Sequence, residues 1–589
     1  MALAIRLVYL AQLDGSPLLS VLMGDARVYD EWAVGIAAGD WMGKEIFYQT
    51  PLYPYLLGIV YLMAGHDPGV VRVIQAALGA VSCVLLALAG RRFFSERAGV
   101  IAASILAIYP PAIFFDGLIQ KSSLDLFLTT AILALLGEFQ ARRRWAWLAA
   151  AAAVTGALVL NRENAFVLFP VVAAWLLVRF DDVPARVRVT WVAVFTAAAF
   201  LTLLPVALRN RHVGGEFVLS TSQLGPNFYI GNNPQASGSY ESLLPGRGDP
   251  VYERADATAV ASKDAGRPLS PQEVSRYWLR RSFDYIRAQP FDWLRLSSRK
   301  LLLTVNAREI SDTESLEAYA EAAPLLGAFR RLDFGIVLPL AAFGAWIHRR
   351  EWRRHLLLYA AGAGMVAGVA AFFVVARYRH PITPVVMLFA GAGIESLLQL
   401  RRTGREWMPA AAVAVVVAII AHLPLHVVHD QTYINIGGHF LDSERPGDAV
   451  PWLRRAVSED PSDPTAQESL AVALMKAGDA NAAEAIPHFT EALRLRPTNF
   501  TTRINFGTAL CRVGRLDECL VQFQEAGRLD PKSVDAPLMA ARAHAAAGHF
   551  DAALVSLEKA RTIALETGQS DRVRELDPMI EQTRAVVGR

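Results

Sequence analysis

Asp25, Tyr29 and Asp30 stand close together near the start of the chain, and their types and spacing suit a reactive cluster. They belong to a polar and aromatic segment, residues 24–57, between a short apolar start and a long apolar body. The segment continues with the aromatic residues Trp41, Phe47, Tyr48, Tyr53 and Tyr55. A carboxylate is costly to keep where a bilayer surface begins, so it marks a functional site. We therefore predict that Asp25 is the catalytic carboxylate.

Basic residues farther along the chain could hold an anion beside this carboxylate. Lys121 and Arg162 each lie at a turn between apolar runs, and Arg377 and Arg379 lie before another run. The planar fork of arginine grips phosphate oxygens in pairs. One carboxylate with several cations suits proton removal from a hydroxyl and stabilisation of a phosphate leaving group. The predicted substrate-binding residues are Tyr29, Asp30, Lys121, Arg162, Arg377, Tyr378, Arg379 and His380.

The composition indicates a polytopic membrane protein. Hydrophobic residues make up 53% of the chain and charged residues 19%, and the apolar residues fall in long runs. The net charge of +3 and the short, scattered basic clusters argue against a nucleic-acid partner. Cys83, Cys511 and Cys519 allow at most one pair, and neither CxxC nor Cys/His ligand spacing occurs. We expect no disulfide framework and no zinc site.

The apolar runs predict an all-α fold with about eleven transmembrane helices. The runs cover residues 1–22, 69–90, 98–115, 118–138, 146–160, 164–179, 189–208, 333–347, 355–376, 381–399 and 408–425. Arg6 and Asp14 interrupt the first run, so we expect a shortened first span rather than a signal peptide. Residues 51–65 are short and contain Pro54, which fits an interfacial helix.

Arginines crowd into alternate loops, as the positive-inside rule requires. They are Arg91, Arg92, Arg97, Arg142, Arg143, Arg144, Arg179, Arg186, Arg188, Arg349, Arg350, Arg353, Arg354, Arg401, Arg402 and Arg405. By this alternation those loops are cytoplasmic, whereas the loop that carries Asp25, the insert 209–331 and everything after residue 426 lie on the other side. All candidate site residues therefore share the outer face.

Two parts of the chain have the composition of soluble domains. Residues 209–331 are rich in turn residues and show helical periodicity from about 271 to 303, which predicts a folded outer lobe. After residue 432 the sequence repeats with a step of about 34 residues. Prolines 461, 497 and 531 and glycines 478, 514 and 548 mark the repeats. We predict a membrane domain at 1–430 and a tetratricopeptide α-solenoid at 432–589.

Several short motifs, taken in order, resemble the membrane-embedded GT-C glycosyltransferases of the protein O-mannosyltransferase and aminoarabinose transferase group. That family carries an acidic residue in the first outer loop, usually in an Asp-Glu pair followed by Tyr, and then a Pro-Pro-Leu helix start. The matching residues here are Asp25 with Tyr29, and Thr50-Pro51-Leu52. Arg162-Glu163-Asn164, Gly231-Asn232-Asn233-Pro234 and Arg377-Tyr378-Arg379-His380-Pro381 add to the resemblance, which covers roughly residues 20–400.

The resemblance implies inverting transfer of a sugar from a polyprenyl-phosphate donor to a hydroxyl of a protein or glycolipid. It places this reaction at the periplasmic face of a bacterial inner membrane. Ala26 stands where the family has a second acid, and Gln49-Thr50 stands where some members have Lys-Pro. No metal-ligand motif occurs, but a divalent metal stays possible, since Asp25, Asp30 and His380 could meet in space.

Structural explanations compete with the assignments in the first loop. Asp25 could cap the helix that follows it, since Asp is a favoured N-cap residue. Asp30 could be a solvated helix residue. The aromatic residues Tyr29, Trp41, Tyr48 and Tyr53 could form an aromatic belt at the membrane surface as readily as a sugar platform.

Similar alternatives exist for the cations. Lys121 could extend toward the membrane surface and pair with Asp116 or Asp125 instead of binding a donor. Arg377 and Arg379 could be interface anchors, although arginine on the outer side runs against the positive-inside rule and needs a reason.

Two other classes of function compete with an enzyme. A lipid-sugar transporter or flippase would need polar residues near mid-membrane and paired internal repeats, but the span centres are mostly apolar. A membrane-anchored scaffold would rely on the repeats alone, and the set of outer-face cations argues against it. The concave surface of the repeats suits a protein partner or acceptor, and equally the self-association of the chain.

Overall fold

The structure is a computed structural model that describes residues 1–244, 247–399, 407–425 and 431–588. In these residues all regular secondary structure is helical, as the sequence predicts. The chain divides into two compact units, residues 1–428 and 429–589. This boundary is close to the predicted domain boundary, and Arg401, Arg402 and Arg405 lie outside the described residues.

The first unit contains 22 α-helices in its described residues. They are α1 Ala2–Gln12, α2 Pro17–Ser20, α3 Asp25–Ala37, α4 Leu52–Ala64, α5 Pro68–Phe93, α6 Glu96–Ile108, α7 Pro110–Gly117, α8 Ser122–Arg142, α9 Trp145–Asn161, α10 Leu168–Arg179, α11 Ala185–Gly214, α12 Leu224–Gly231, α13 Pro250–Ala265, α14 Pro271–Ala288, α15 Pro290–Val305, α16 Leu316–Ala322, α17 Pro324–Phe329, α18 Phe334–Ile347, α19 Trp352–Ala371, α20 Ala376–Arg379, α21 Thr383–Leu398 and α22 Trp407–Ala421. Short 3-10 helices occupy Glu163–Val167, His348–Glu351 and His380–Ile382.

Five helical stretches are long and apolar enough to cross a membrane: α5, α8, α11, Phe334–Ala371 and Ala376–Leu398. Helices α6 and α7 qualify only as a pair bent by 54°, and α1, α4, α9 and α22 are shorter apolar helices. By length and composition the described residues thus contain five or six spans, and the predicted total of eleven is not confirmed. Helix α10, within one predicted span, has only 12 residues.

Ion pairs join several of the arginine-rich loops at one end of the membrane helices. The Glu138 carboxylate, near the end of α8, lies 2.6 Å from Nε of Arg92 and 2.9 Å from Nε of Arg142. Asp181 and Asp182, after α10, pair with Arg353 and Arg143. The loops that the sequence assigns to one side therefore meet there.

The insert is built from α12 to α17, and its periodic stretch forms α14 and α15. Ser270 and Glu273 form a capping box at the start of α14, where each side chain accepts a hydrogen bond from the other's backbone N–H. The buried Lys300 of α15 donates to Gly231 O at 3.1 Å and Phe372 O at 3.0 Å. This side chain ties the insert to the end of α19.

The second unit consists of nine α-helices in its described residues, four successive pairs and a last single helix. They are α23 Thr432–Asp442, α24 Pro446–Glu459, α25 Pro464–Ala477, α26 Ala482–Leu495, α27 Phe500–Arg512, α28 Leu516–Leu529, α29 Asp535–Ala546, α30 Phe550–Glu566 and α31 Ser570–Val587, with a 3-10 turn at Asp479–Asn481. Gly514 and Gly548 have positive φ between the helices of a pair, as the repeat requires.

Side chains at equivalent positions of successive repeats form the core of this unit. Leu453, Phe489, Phe523 and Leu557 are each buried, at the repeat step of about 34 residues. The predicted tetratricopeptide solenoid is thus confirmed. A disulfide joins Cys511 of α27 to Cys519 of α28, one of the three pairings that three cysteines permit, and Cys83 is free and buried.

Candidate active site

Asp25 is the first residue of α3 and is buried, with 6% of its surface exposed. Gly24 occupies the N-cap position with φ of 52°, and a Cβ there would lie 2.7 Å from Oγ1 of Thr313. Only glycine therefore fits both this backbone conformation and the space. The Asp25 side chain caps no backbone N–H of the helix, so the N-cap explanation is wrong.

Two side chains bind the Asp25 carboxylate instead. Gln49 Nε2 donates to Oδ1 at 3.0 Å, and the Arg377 guanidinium donates to Oδ2. Burial alone would raise the pKa of Asp25, but Arg377, Lys121 and these hydrogen bonds outweigh burial and lower the pKa below its usual value. Asp25 is therefore ionised at neutral pH and able to accept a proton.

Arg377 lies between two carboxylates. Its Nε is 2.7 Å from Oδ2 of Asp312, and its other side contacts Asp25. Gln120 Oε1 accepts a longer hydrogen bond from it, at 3.4 Å. The guanidinium therefore links the first outer loop, the turn before α8 and the insert.

Lys121 is buried close to this group without a carboxylate partner within ion-pair distance among the described residues. Its Nζ donates to Oγ1 of Thr50 at 3.2 Å and lies 5.9 Å from the ring centroid of Tyr29. Burial, helped by the neighbouring Arg162, lowers the pKa of Lys121 to about 8. The alternative pairings are wrong, because Asp116 pairs with Arg6 and Asp125 with Arg162.

Tyr378 connects the two arginines of the site. The guanidinium carbon of Arg162 lies 4.9 Å from the centroid of the Tyr378 ring, and that of Arg377 lies 5.3 Å from it. Arg162 also donates from Nε to Asp125 Oδ2 at 2.6 Å, which fixes its orientation. The structure thus brings Asp25, Tyr29, Lys121, Arg162, Arg377 and Tyr378 together.

Three of the predicted substrate-binding residues have other surroundings. Asp30 accepts a hydrogen bond from Tyr61 at 2.6 Å and contacts His66 at 2.9 Å. The guanidinium of Arg379 donates to the backbone oxygen of Asn306 and pairs with Glu309 at 2.6 Å. These contacts favour structural roles for both residues, and their predicted part in substrate binding remains untested.

His380, the third of these residues, packs its ring against Phe115, with 4.9 Å between the ring centroids. The described residues contain no group of three His, Cys, Asp or Glu side chains placed to hold a metal ion. Asp25, Asp30 and His380 in particular do not form one site. A metal requirement stays a prediction.

The insert supplies acidic residues that the sequence analysis did not single out. Asp312 contacts Arg377, and burial together with Asp312 raises the pKa of the nearby Glu314 to about 8. Burial also raises the pKa of Glu253 to about 7, although Tyr240 donates to it at 2.6 Å. In the sequence these residues are acids in an insert assigned to the outer face. Acids are common in such a segment, so the sequence does not distinguish them from the other acids of the insert.

The space beside this cluster is small. Gln120, Asp312, Glu314 and Arg377 help to line a cavity of about 20 Å³, which is room for roughly one water molecule.

Comparisons with known proteins agree with the predicted resemblance. Residues 48–208 match the family described as dolichyl-phosphate-mannose-protein mannosyltransferase. Comparison with curated proteins gives no match. The matched residues include Gln49, Thr50, Lys121 and Arg162, but not Asp25 or Arg377.

Solved structures show more distant likenesses. An archaeal oligosaccharyltransferase, AglB from Archaeoglobus fulgidus, in complex with an inhibitory peptide and a dolichol-phosphate, has 16% identity, covers 77% of this chain and 57% of that chain, and gives a TM-score of 0.40. YrrB, a tetratricopeptide protein with an unusual peptide-binding site, has 22% identity over 31% of this chain and 87% of that chain, with a TM-score of 0.22. MamA from Desulfovibrio magneticus has 17% identity, covers 26% of this chain and 95% of that chain, and gives a TM-score of 0.21.

The family match over residues 48–208 confirms the resemblance to the membrane-embedded GT-C glycosyltransferases that the sequence predicts.

Proposed function

We propose that this protein is an inverting glycosyltransferase of the GT-C type that uses a polyprenyl-phosphate-linked sugar as donor. The acceptor is a hydroxyl group of a protein or a glycolipid. Asp25 accepts the proton of this hydroxyl as its oxygen attacks the anomeric carbon. The bond from that carbon to the phosphate oxygen breaks, and polyprenyl phosphate leaves. A single displacement of this kind inverts the anomeric configuration.

The buried ammonium of Lys121 is the observation that carries this proposal. A charge out of water is costly unless it is paired, and no carboxylate of the described residues lies within ion-pair distance of this one, which donates to the Thr50 hydroxyl and faces the Tyr29 ring. A donor phosphate supplies the missing counter-ion. Lys121 and the ionised Asp25 influence each other's pKa, so the anion would bind close to the base.

Arg377 provides the link between donor binding and the base. In this structure its guanidinium is shared between Asp25 and Asp312. A phosphate that binds Arg377 competes for the N–H groups that now contact Asp25. Oδ2 of Asp25 then becomes free to accept the proton of the hydroxyl. Donor binding would thus prepare the base for the acceptor.

The arrangement of charges supports opposite sides for the site and the basic loops. Helix α8 begins next to Lys121 and ends beside Glu138 and its arginines. A helix of 21 residues is about 30 Å long, the thickness of the hydrocarbon core. With arginines on the cytoplasmic side, the site faces the periplasm of a bacterial inner membrane.

The repeat unit has a separate proposed role, the binding of a protein acceptor or partner. Stacked helix pairs present a concave surface that suits an extended peptide. A binding module on the same chain as an enzyme raises the local concentration of what it binds.

The function is tested with membranes that contain the protein, a polyprenyl-phosphate sugar and the candidate acceptors. We expect the sugar lipid to be consumed and a glycosylated product with inverted configuration to form. Asp25→Asn keeps the shape of the side chain but cannot accept the proton, so transfer should fall by about 10²–10⁴-fold at unchanged protein level.

Glu31→Gln is the matched control, since it changes an exposed acid on the same helix. Normal turnover by Asp25→Asn would remove the catalytic assignment. Movement of the sugar lipid between leaflets without product would favour the transporter instead. Parallel assays with EDTA and with added divalent cations test the metal requirement.

A further inference from the structure

Helix α15 of the insert crosses the outer end of α19. Near its start Trp293 Nε1 donates to Oδ1 of Asn232 at 3.0 Å, and two turns later Lys300 Nζ donates to the same oxygen at 3.1 Å. Asn232 in turn donates from Nδ2 to the oxygen of Ala371, the last residue of α19. The middle of α15 therefore lies across the end of this apolar helix.

The residues after α15 then reach the end of a second apolar helix, α22. Asn306 Nδ2 donates to Leu423 O at 3.0 Å, and Ala307 N donates to Ala421 O at 2.7 Å. A helix that passes from the end of one membrane helix to the end of another runs along the surface of the membrane. Its direction fits an interfacial helix better than part of a water-surrounded lobe.

Helix α15 has two distinct apolar faces. Leu296, Leu303 and the stem of Lys300 are buried against the protein. Phe291, Leu294 and Leu301 are 83%, 53% and 45% exposed, and their spacing of three and seven residues places them together on the opposite face. Contact of this apolar face with water costs free energy, so we expect apolar material to cover it.

One exposed arginine lies on α15 itself, and another precedes the helix by three residues. Arg295 lies beside Leu294, and Arg287, at the end of α14, is 80% exposed with only a loose contact of 3.9 Å to Asp284. An apolar face flanked by arginines is the pattern of a helix that lies at a membrane surface with anionic headgroups.

We propose that α15 is embedded in the headgroup region of the outer leaflet. Phe291, Leu294 and Leu301 contact the acyl chains, and Arg287 and Arg295 bind the phosphate groups of acidic phospholipids. The position of α15 across the ends of α19 and α22 selects the bilayer, rather than a soluble protein, as the occupant of this face.

The test places an environment-sensitive fluorophore on a cysteine at position 294 of the full-length protein in vesicles. Leu294→Cys is compared with Lys263→Cys, an exposed polar position on α13 of the same insert. We expect quenchers attached to lipid headgroups to act strongly at position 294 and weakly at position 263. A water-soluble quencher should show the reverse order.

Equal behaviour of the two positions would overturn the proposal, and so would protection of position 294 from both quenchers, which would point to a second copy of the chain or another protein. The phosphate contact is tested in vesicles of phosphatidylcholine with and without phosphatidylglycerol. Phosphatidylglycerol should increase the lipid quenching at position 294. The double change Arg287→Gln and Arg295→Gln should remove this increase, and its persistence would contradict the assigned phosphate contact.

Discussion

Arg377 shows how one side chain organises the candidate site. Its guanidinium is held by a carboxylate from the first loop and by one from the insert, so all its strong contacts in this state are internal. The neighbouring Arg379 donates to the backbone of residues 304–308 and stacks on Phe334. Two arginines only two positions apart are thus engaged in different ways.

This difference gives a paired prediction. Arg377→Ala should weaken binding of a polyprenyl-phosphate donor by roughly 10- to 100-fold, because it removes charge-assisted hydrogen bonds to the phosphate. Arg379→Ala should mainly lower the thermal stability, because it leaves buried carbonyls without a donor. Donor affinity and melting temperature are measured for both variants in detergent. A donor affinity that is normal in Arg377→Ala would show that this arginine is an anchor.

Lys121 predicts a pH dependence of donor binding. Its pKa is lowered to about 8, so the ammonium is present below that value and is lost as the pH rises through it. Donor affinity should therefore decline above about pH 8. Lys121→Arg keeps its charge at all these values and should abolish the decline, which a binding titration across this range measures. An unchanged decline in that variant would exclude Lys121 as its cause.

For individual residues, the sequence was informative where a charged residue stands in or beside an apolar run. Charged residues at the ends of apolar runs identified Asp25, Lys121, Arg162 and Arg377, which the structure brings together. Asp312 and Glu314 were not predicted, since acids are ordinary in a soluble insert and only folding places them beside Arg377. The contacts of Arg379 with backbone carbonyls have no signature in the sequence.

Among the elements, the insert depends on the buried Lys300 for its attachment. Lys300→Met would leave Gly231 O and Phe372 O without their donor, at a cost of about 1–3 kcal/mol for each buried group. We expect a clear fall in melting temperature, whereas Lys263→Met on the exposed surface of α13 should change it little. Differential scanning fluorimetry of the detergent-solubilised protein compares the two. A stable Lys300→Met variant would contradict the proposed attachment.

Helix positions were easier to predict than the number of spans. The stretch of helical periodicity predicted at about 271–303 is helical, but it divides into α14 and α15 at Pro290, because proline cannot continue a helix from the preceding turn. The spans were harder, since α10 has 12 residues and α6 and α7 bend at a break before Pro110. Apolar content indicates burial or lipid contact, but it does not determine how far a short helix reaches through the bilayer.

The whole molecule consists of two units, which predicts separable activities. Deletion of residues 432–589 should depress transfer to a protein acceptor and spare the slow hydrolysis of the sugar lipid, whose chemistry uses unit 1 alone. Both reactions are measured with the same donor. Equal loss of both would indicate that the repeats are needed for folding.

The disulfide gives a further prediction for the side of the membrane on which the repeats lie. Disulfides persist in the periplasm and are rare in the reducing cytosol. Cys511 and Cys519 should therefore react with a maleimide only after reduction, in protein taken directly from cells under acid quench. Labelling without reduction would place the repeats in the cytoplasm and remove their proposed role in binding a periplasmic acceptor.

The residues of the ion pairs around Glu138 are synthesised in a particular order. Arg91 and Arg92 are synthesised well before Glu138, and Arg142 follows it by four residues. While the earlier helices enter the membrane, their arginines are unpaired and free to set orientation. Once α8 is complete, its single carboxylate pairs with them and joins the ends of α5 and α8. The same arginines thus act first as a signal for membrane orientation and later as ion-pair partners that stabilise the packed helices.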